Sequence, residues 1–230
     1  MIQVNNQDTK EDGTTRFVCI SDTHGKIDIA VPKGDVLLHA GDLARRDSLK
    51  EYENTFKWLG SLPHKIKIIT AGNHDHYLDS RFGCTRERNR ILDMAEENGL
   101  IYLEHESYQL PKQYGNYKIF ASPYSPMHLG GAFMLDDLEE IWSTIPNDID
   151  ILITHTPARK YQDLITRGRH VGCPHLARRI QEDIQPKVSV CGHIHEANGY
   201  CFDDNDILYI NASISDHRYR PRQQPITFDL

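Results

Sequence analysis

Ser21-Asp22-Thr23-His24, Gly41-Asp42, Gly72-Asn73-His74-Asp75, Thr154-His155 and Gly192-His193-Ile194-His195 follow one another along the chain, each just after an apolar run. Such runs read as strands, which would gather the Asp, Asn and His side chains at the carboxyl ends of neighbouring strands. The donors are two Asp and one Asn with hard oxygens and four His with borderline nitrogens, and no thiolate, a set suited to two adjacent divalent ions. Two ions side by side are what phosphoester hydrolysis needs. Asp22 and His24 are two apart, so an extended backbone would point both to one side, and His193 and His195 repeat that spacing. The carboxylate of Asp42 has two oxygens with which to bridge two cations, and Asn73 adds a neutral amide oxygen where another anion would over-neutralise the site. Alone, an Asp-x-His or a Gly-Asp reads as a capped turn and a single His as a hydrogen-bonded residue. Seven metal-type side chains at five strand ends do not reduce to such local explanations.

The elements that must position them follow from the pattern. Arg16 to Ile20, Asp35 to His39 and Lys65 to Thr70 predict three strands, each ending in one of the motifs. Between them Leu49, Tyr52, Phe56 and Leu59 are spaced for one helical face, with Asp47 or Ser48 as N-cap. Thr85 to Asn98 predicts a second helix closed by Gly99, and Leu135 to Ile145 a third. Leu100 to Leu103, Tyr117 to Ala121, Asp150 to Thr154, Lys187 to Cys191, Ile207 to Asn211 and Ile226 to Leu230 read as further strands, and Pro174 to Ile184 as a helix with proline at its start. This alternation implies a largely parallel α/β sheet. Residues 1–15 are polar and expected to form a loose tail, leaving 16–230 as one domain.

With 230 residues and a net charge of −7, the chain can bury one full core and lacks the overall basic charge expected of a nucleic-acid binder. No apolar stretch has the length of a membrane span. The five cysteines are odd in number and contain no Cys-x-x-Cys, which points to a reducing, cytoplasmic compartment.

The ordered pattern Asp-x-His, Gly-Asp, Gly-Asn-His-Asp, His, Gly-His-x-His resembles the calcineurin-like metallophosphoesterase superfamily over residues 17–215. Val18 to His24, Leu152 to His155, Gly192 to Glu196 and Asn211 to Ser213 are similar to its metallophosphoesterase-domain-containing group. The resemblance implies a four-layer αββα sandwich, two mixed β-sheets face to face with helices outside. It implies that one ion takes Asp22, His24, Asp42 and His195 and the other Asp42, Asn73, His155 and His193, with Asp42 between them. His74 would then donate a hydrogen bond or a proton to the leaving oxygen, with Asp75 holding its other nitrogen. The implied ions are Mn, Fe or Zn, and the implied reaction is in-line attack on phosphorus by a hydroxide bridging the ions. The expected substrate is a small phosphoester, a nucleotide phosphodiester. Gly41-Asp42 does not continue into the Asp-x-x-Asp-Arg-Gly type of sequence found in phosphoprotein phosphatases, which counts against a phosphoprotein substrate. The alternatives are a nucleotide-binding or scaffold protein with slow residual activity, and a nuclease.

Arg45, just past Asp42, is a candidate phosphate contact. Gly168 to Pro174 has two glycines ahead of a helix start, and Gly172 and Cys173 within it are candidate substrate contacts. His39, His64, His76, His105, His128 and His217 have no spacing that compels a role and are read as solvated or structural.

Overall fold

In the computed structural model, which describes residues 2–4, 10, 12–46 and 48–230, two six-stranded sheets face one another. The first comprises β1 (Gln3–Val4), β2 (Arg16–Ile20), β3 (Val36–Ala40), β4 (Ile66–Thr70), β5 (Ile101–Tyr102) and β14 (Ile226–Asp229), in the order β1-β14-β2-β3-β4-β5. Its β2 to β5 are parallel, and β14 and β1 add antiparallel. The second comprises β6 (Glu106–Gln109), β7 (Lys118–Ser122), β10 (Ile151–Thr154), β11 (Val188–Cys191), β12 (Gly199–Phe202) and β13 (Leu208–Asn211), in the order β12-β13-β11-β10-β7-β6. Four parallel strands form its centre and an antiparallel strand closes each edge. A small pair, β8 (Ser125–Pro126) and β9 (Met134–Leu135), stands apart.

The core has three apolar layers, as a sandwich of this kind requires. Phe17, Leu38, Ile68, Ile119, Ile153, Val190 and Phe228 fill the space between the sheets. Val18, Leu37 and Ile69 turn outward from the first sheet to meet Tyr52, Phe56 and Leu59 of α1 (Leu49–Ser61) and Ile91 and Met94 of α2 (Thr85–Glu97). Phe120, Leu152 and Tyr209 turn outward from the second to meet Trp142 of α3 (Glu139–Ser143) and Leu176 and Ala177 of α4 (Pro174–Arg179). The expected αββα architecture is the observed one. The central strands are buried on both faces, which is why they read as continuous apolar runs.

Several expectations are corrected. The amino-terminal segment is not wholly a loose tail: Gln3–Val4 pairs with Asp229 and Phe228, and Val4 packs on the inter-sheet core. Residues 5–9 and 11 lie outside the described residues, as does Asp47; Ser48 caps α1, its Oγ accepting from the Glu51 amide at 3.2 Å. The third helix is limited to Glu139–Ser143, because Leu135 pairs in β9 and Asp137 Oδ1 accepts from the Glu139 amide at 2.8 Å, starting the helix there. The helix after Pro174 widens into a π-type turn over Ile180–Ile184. The antiparallel partner of β7 is β6, whose mostly exposed Glu-Ser-Tyr-Gln carries no apolar run to reveal it.

Candidate metal centre

The five motifs lie where β2, β3 and β4 of one sheet and β10 and β11 of the other end. Their loops are laced together: the Asp22 amide donates to Gly41 O (2.9 Å), His24 N to Asp42 O (3.0 Å), and His155 Nδ1 contacts Ala40 O across the sheets at 2.8 Å. Asp22, His24, Asp42 and His193 all have positive φ (54°, 48°, 57° and 67°). Non-glycine residues seldom adopt such angles, and they persist where the surroundings fix them, commonly at functional sites. The side chains of Asp22 and His24 therefore converge through a left-handed turn, not the extended backbone expected from their spacing. His193 and His195 separate: His193 Nδ1 lies 2.9 Å from Asn73 Oδ1, whereas His195 Nε2 lies 3.2 Å from His24 Nε2.

Two ligand sets result. Asp22, His24, Asp42 and His195 each bring a donor atom to a common point, these atoms lying within 4.8 Å of one another. Beside them, His155 Nε2 is 3.0 Å from Asn73 Oδ1 and 3.4 Å from Asp42 Oδ1. Asp42 turns its other oxygen, Oδ2, towards His24 Nε2 at 3.7 Å. One carboxylate thus faces both sets. Where the motif glycines stand, a side chain would intrude: a Cβ on Gly41 would lie 2.6 Å from His155 Nδ1, one on Gly72 would meet Asp42 Oδ1, and one on Gly192 would meet Asp22 Oδ2.

The donor chemistry fits cations. His155 Nδ1 donates to Ala40 O and His195 Nδ1 to Asp216 O (3.0 Å), so in each neutral ring Nε2 carries the lone pair and points into the site. The His155 lone pair 3.0 Å from the Asn73 amide oxygen sets acceptor against acceptor unless a positive charge lies between. Burial holds His24 and His155 below the ordinary imidazole range and His193 at about 3, so these rings are neutral and ready to ligate. Burial opposes charge on His195 too, but the hydrogen bond and charge of Asp22 outweigh it and lift that ring to about 9. In this arrangement His195 carries the proton that a bound cation would displace.

The other expected residues divide. The His74 amide donates to Asp42 Oδ1 at 2.9 Å, and its half-buried ring stands edge-on to His24, centroids 4.9 Å apart, facing the cavity above the ligands. Burial lowers it to about 4. Asp75 is not its partner. Its Oδ1 accepts from Ala44 N and Tyr52 OH and its Oδ2 from Leu43 N and Gly72 N, at 2.8–3.1 Å, so this buried carboxylate ties the second and third motifs to α1. Arg45 does not line the cavity itself; its guanidinium lies 4.7 Å from the ring centroid of Tyr219, which does. Gly172 and Cys173 do not line the cavity. The Gly172 amide donates to Asp163 Oδ2 at 2.8 Å, and Cys173 is buried against Trp142, whose Nε1 donates to its sulfur.

The cavity measures about 460 Å³, and His76, His128, His217 and Tyr219 help line it. Sequence reasoning set those histidines aside and passed over Tyr219. The signal was position: the segment after β13 leaves the same end of the second sheet as the motifs, and its Asp216 carbonyl and Tyr219 ring both contact His195.

The calcineurin-like phosphoesterase family model matches residues 15–197. The chain belongs to that family. Human metallophosphoesterase domain-containing protein 1 is 36% identical over 96% of this chain and 72% of its own length, and a UPF0046 protein of Caenorhabditis elegans is 34% identical over 94% and 80%. Among solved structures, a phosphopantetheinyl hydrolase of Mycobacterium tuberculosis superposes with a TM-score of 0.62 at 15% identity, covering 94% of each chain, which shows the shared fold. As a calcineurin-like phosphoesterase the chain is a metal-dependent phosphoric ester hydrolase, and its candidate ligand cluster stands at the strand ends. Among the described residues, no helix is long and apolar enough to cross a membrane.

Proposed function

We propose that the chain hydrolyses a small phosphodiester of nucleotide type at a two-ion centre. Asp22, His24, Asp42 and His195 would hold one ion and Asp42, Asn73, His155 and His193 the other. The observation that carries this reading is Asp42, whose two oxygens face separate ligand sets. Bound there, Mn, Fe or Zn would supply charge neutralisation at phosphorus and a solvent nucleophile of lowered pKa. The protein's own contribution is positioning. His74 donates from its ring to the leaving oxygen, Tyr219 sets the rim with Arg45 against its ring, and a cavity of about 460 Å³ takes a ligand of mononucleotide size. All five cysteines are free, which favours the reducing, cytoplasmic setting.

The test is a substrate panel with Mn(II)-loaded protein: an aryl phosphodiester, a cyclic mononucleotide, a phosphopeptide and duplex DNA. Turnover of the first two with little on the others is expected. Preferential hydrolysis of the phosphopeptide or of DNA would overturn the substrate assignment, and full activity in rigorously metal-free protein would overturn the site.

A further inference from the structure

The loop between β10 and α4 holds a cluster of charge that the metal-type cavity does not use. Residues 159–170 contain Arg159, Lys160, Arg167, Arg169 and His170, with Asp163 the one acid, in a chain whose net charge is −7. Asp163 is fully buried and committed: Oδ1 lies 2.5 Å from His170 Nδ1, and Oδ2 accepts from the Gly172 amide. It thereby fixes the ring of His170 and leaves Nε2 as the nitrogen still open to a ligand.

The backbone is equally fixed. Ile165 N donates to Arg169 O (3.0 Å), Gly168 N to Ile165 O (2.8 Å) and Arg159 N to Cys173 O (3.1 Å). Arg159, Lys160, Arg169 and His170 line one concavity of about 530 Å³, which shares no lining residue with the cavity above the ligands. Among the described residues none of the three permanent cations has an ion-pair partner. Like charges held together in a concave wall repel one another and concentrate positive potential, an arrangement that an anion relieves.

We propose that this loop is a binding site for a phosphate group, distinct from the metal centre. The two guanidiniums present planar forks matched to phosphate oxygens, and Lys160 adds a point charge beside the held ring of His170. The group is either free inorganic phosphate or the phosphomonoester end of a small molecule. The site adjoins the metal centre through one side chain: Asn211 Nδ2 donates to Gln162 O within this loop and to Gly192 O and Ile194 O on either side of His193.

Calorimetric titration with inorganic phosphate and with glycerol 3-phosphate, at low salt and in chelator, tests the site on the full chain. Saturable binding is expected for the wild type and for Asp42→Asn alike, weakening as salt rises. The double substitution Arg159→Glu/Arg169→Glu, at exposed positions, should weaken it roughly tenfold or more while the melting temperature stays unchanged. Tighter binding of glycerol 3-phosphate would place a phosphorylated small molecule there, and equal binding would place free phosphate there. The proposal is overturned if the double variant binds as the wild type does, or if the wild type shows no saturable binding of either ligand at millimolar concentration. None of these outcomes bears on the phosphoesterase reading, which rests on other residues.

Discussion

Asp42 and His74 are neighbours in space with separable work, and substitution separates them. Asp42→Asn keeps the shape but removes the charge on both oxygens facing the two sets, so it should strip both ions and activity together, read by metal analysis beside turnover. His74→Asn removes no candidate ligand; metal content should hold while turnover of a cyclic nucleotide falls by roughly a hundredfold, and less for an activated aryl ester whose leaving group needs no proton. Equal losses on both substrates would assign His74 to phosphate charge instead, and loss of metal would make it a ligand. His39, a buried ring behind the ligand loops that is not itself a candidate ligand, offers a pH test. Its Nδ1 accepts from the Gly41 amide at 3.3 Å and its Nε2 reaches Thr23 Oγ1 at 3.0 Å, so the neutral ring satisfies both contacts, and burial lowers it to about 3. Between that value and the unfolded histidine value the unfolded chain holds the extra proton. Stability in chelator should therefore rise with pH across that window, and fall by up to ~1.4 kcal/mol per unit on acidification. His39→Gln should remove that share of the slope in urea unfolding at a series of pH values; an unchanged slope would clear His39 of the effect.

At the scale of elements, β2 and β14 are joined by an ion pair that is nearly dry. Arg16 Nε and Nη2 donate to the two oxygens of Asp229 at 2.8 and 2.7 Å, where β2 meets β14. Losing Asp229 removes the carboxylate that these two donors share, so Asp229→Ala should cost ~1.5–3 kcal/mol in urea unfolding, whereas Arg16→Met/Asp229→Leu should recover most of it. A double variant as unstable as the single one would mean the pair contributes beyond mutual neutralisation. These elements also show what a sequence reveals. Strands β2, β3, β4, β10 and β11 are buried on both faces, so their apolar runs announced them and, at their ends, the seven candidate ligands. The edge strands β6 and β12 are largely exposed and take their conformation from β7 and β13, a tertiary cause with no local signature. Asp75 differs from expectation for a related reason: adjacency to His74 suggests a dyad, but its oxygens turn away to backbone amides that only the fold brings near.

On the scale of the molecule, the candidate centre is a joint. Asp22, His24, Asp42 and Asn73 leave the first sheet, and His155, His193 and His195 the second; the core between the sheets is apolar, while this end holds converging lone pairs and two buried carboxylates. Without cations those groups repel and resist desolvation, so burial and the charge of Asp22 push Asp42 well above the usual carboxylate range. Cations at both positions would turn that repulsion into cross-links between the sheets. Because the unfolded chain lacks the assembled set, binding to the folded state alone should stabilise it by about 2.7 kcal/mol per site at a hundredfold excess over Kd. For a chain of this length that corresponds to a rise of roughly 5–10 °C in melting temperature for one site filled. Thermal unfolding in chelator and in Mn(II) should therefore differ by at least that much in the wild type. In Asp42→Asn the gap should nearly close, and in Arg159→Glu/Arg169→Glu it should persist. Identical melting of chelated and Mn(II)-loaded wild type would mean that the converging groups do not hold ions in the folded state, and the hydrolytic assignment of this centre would fall with them.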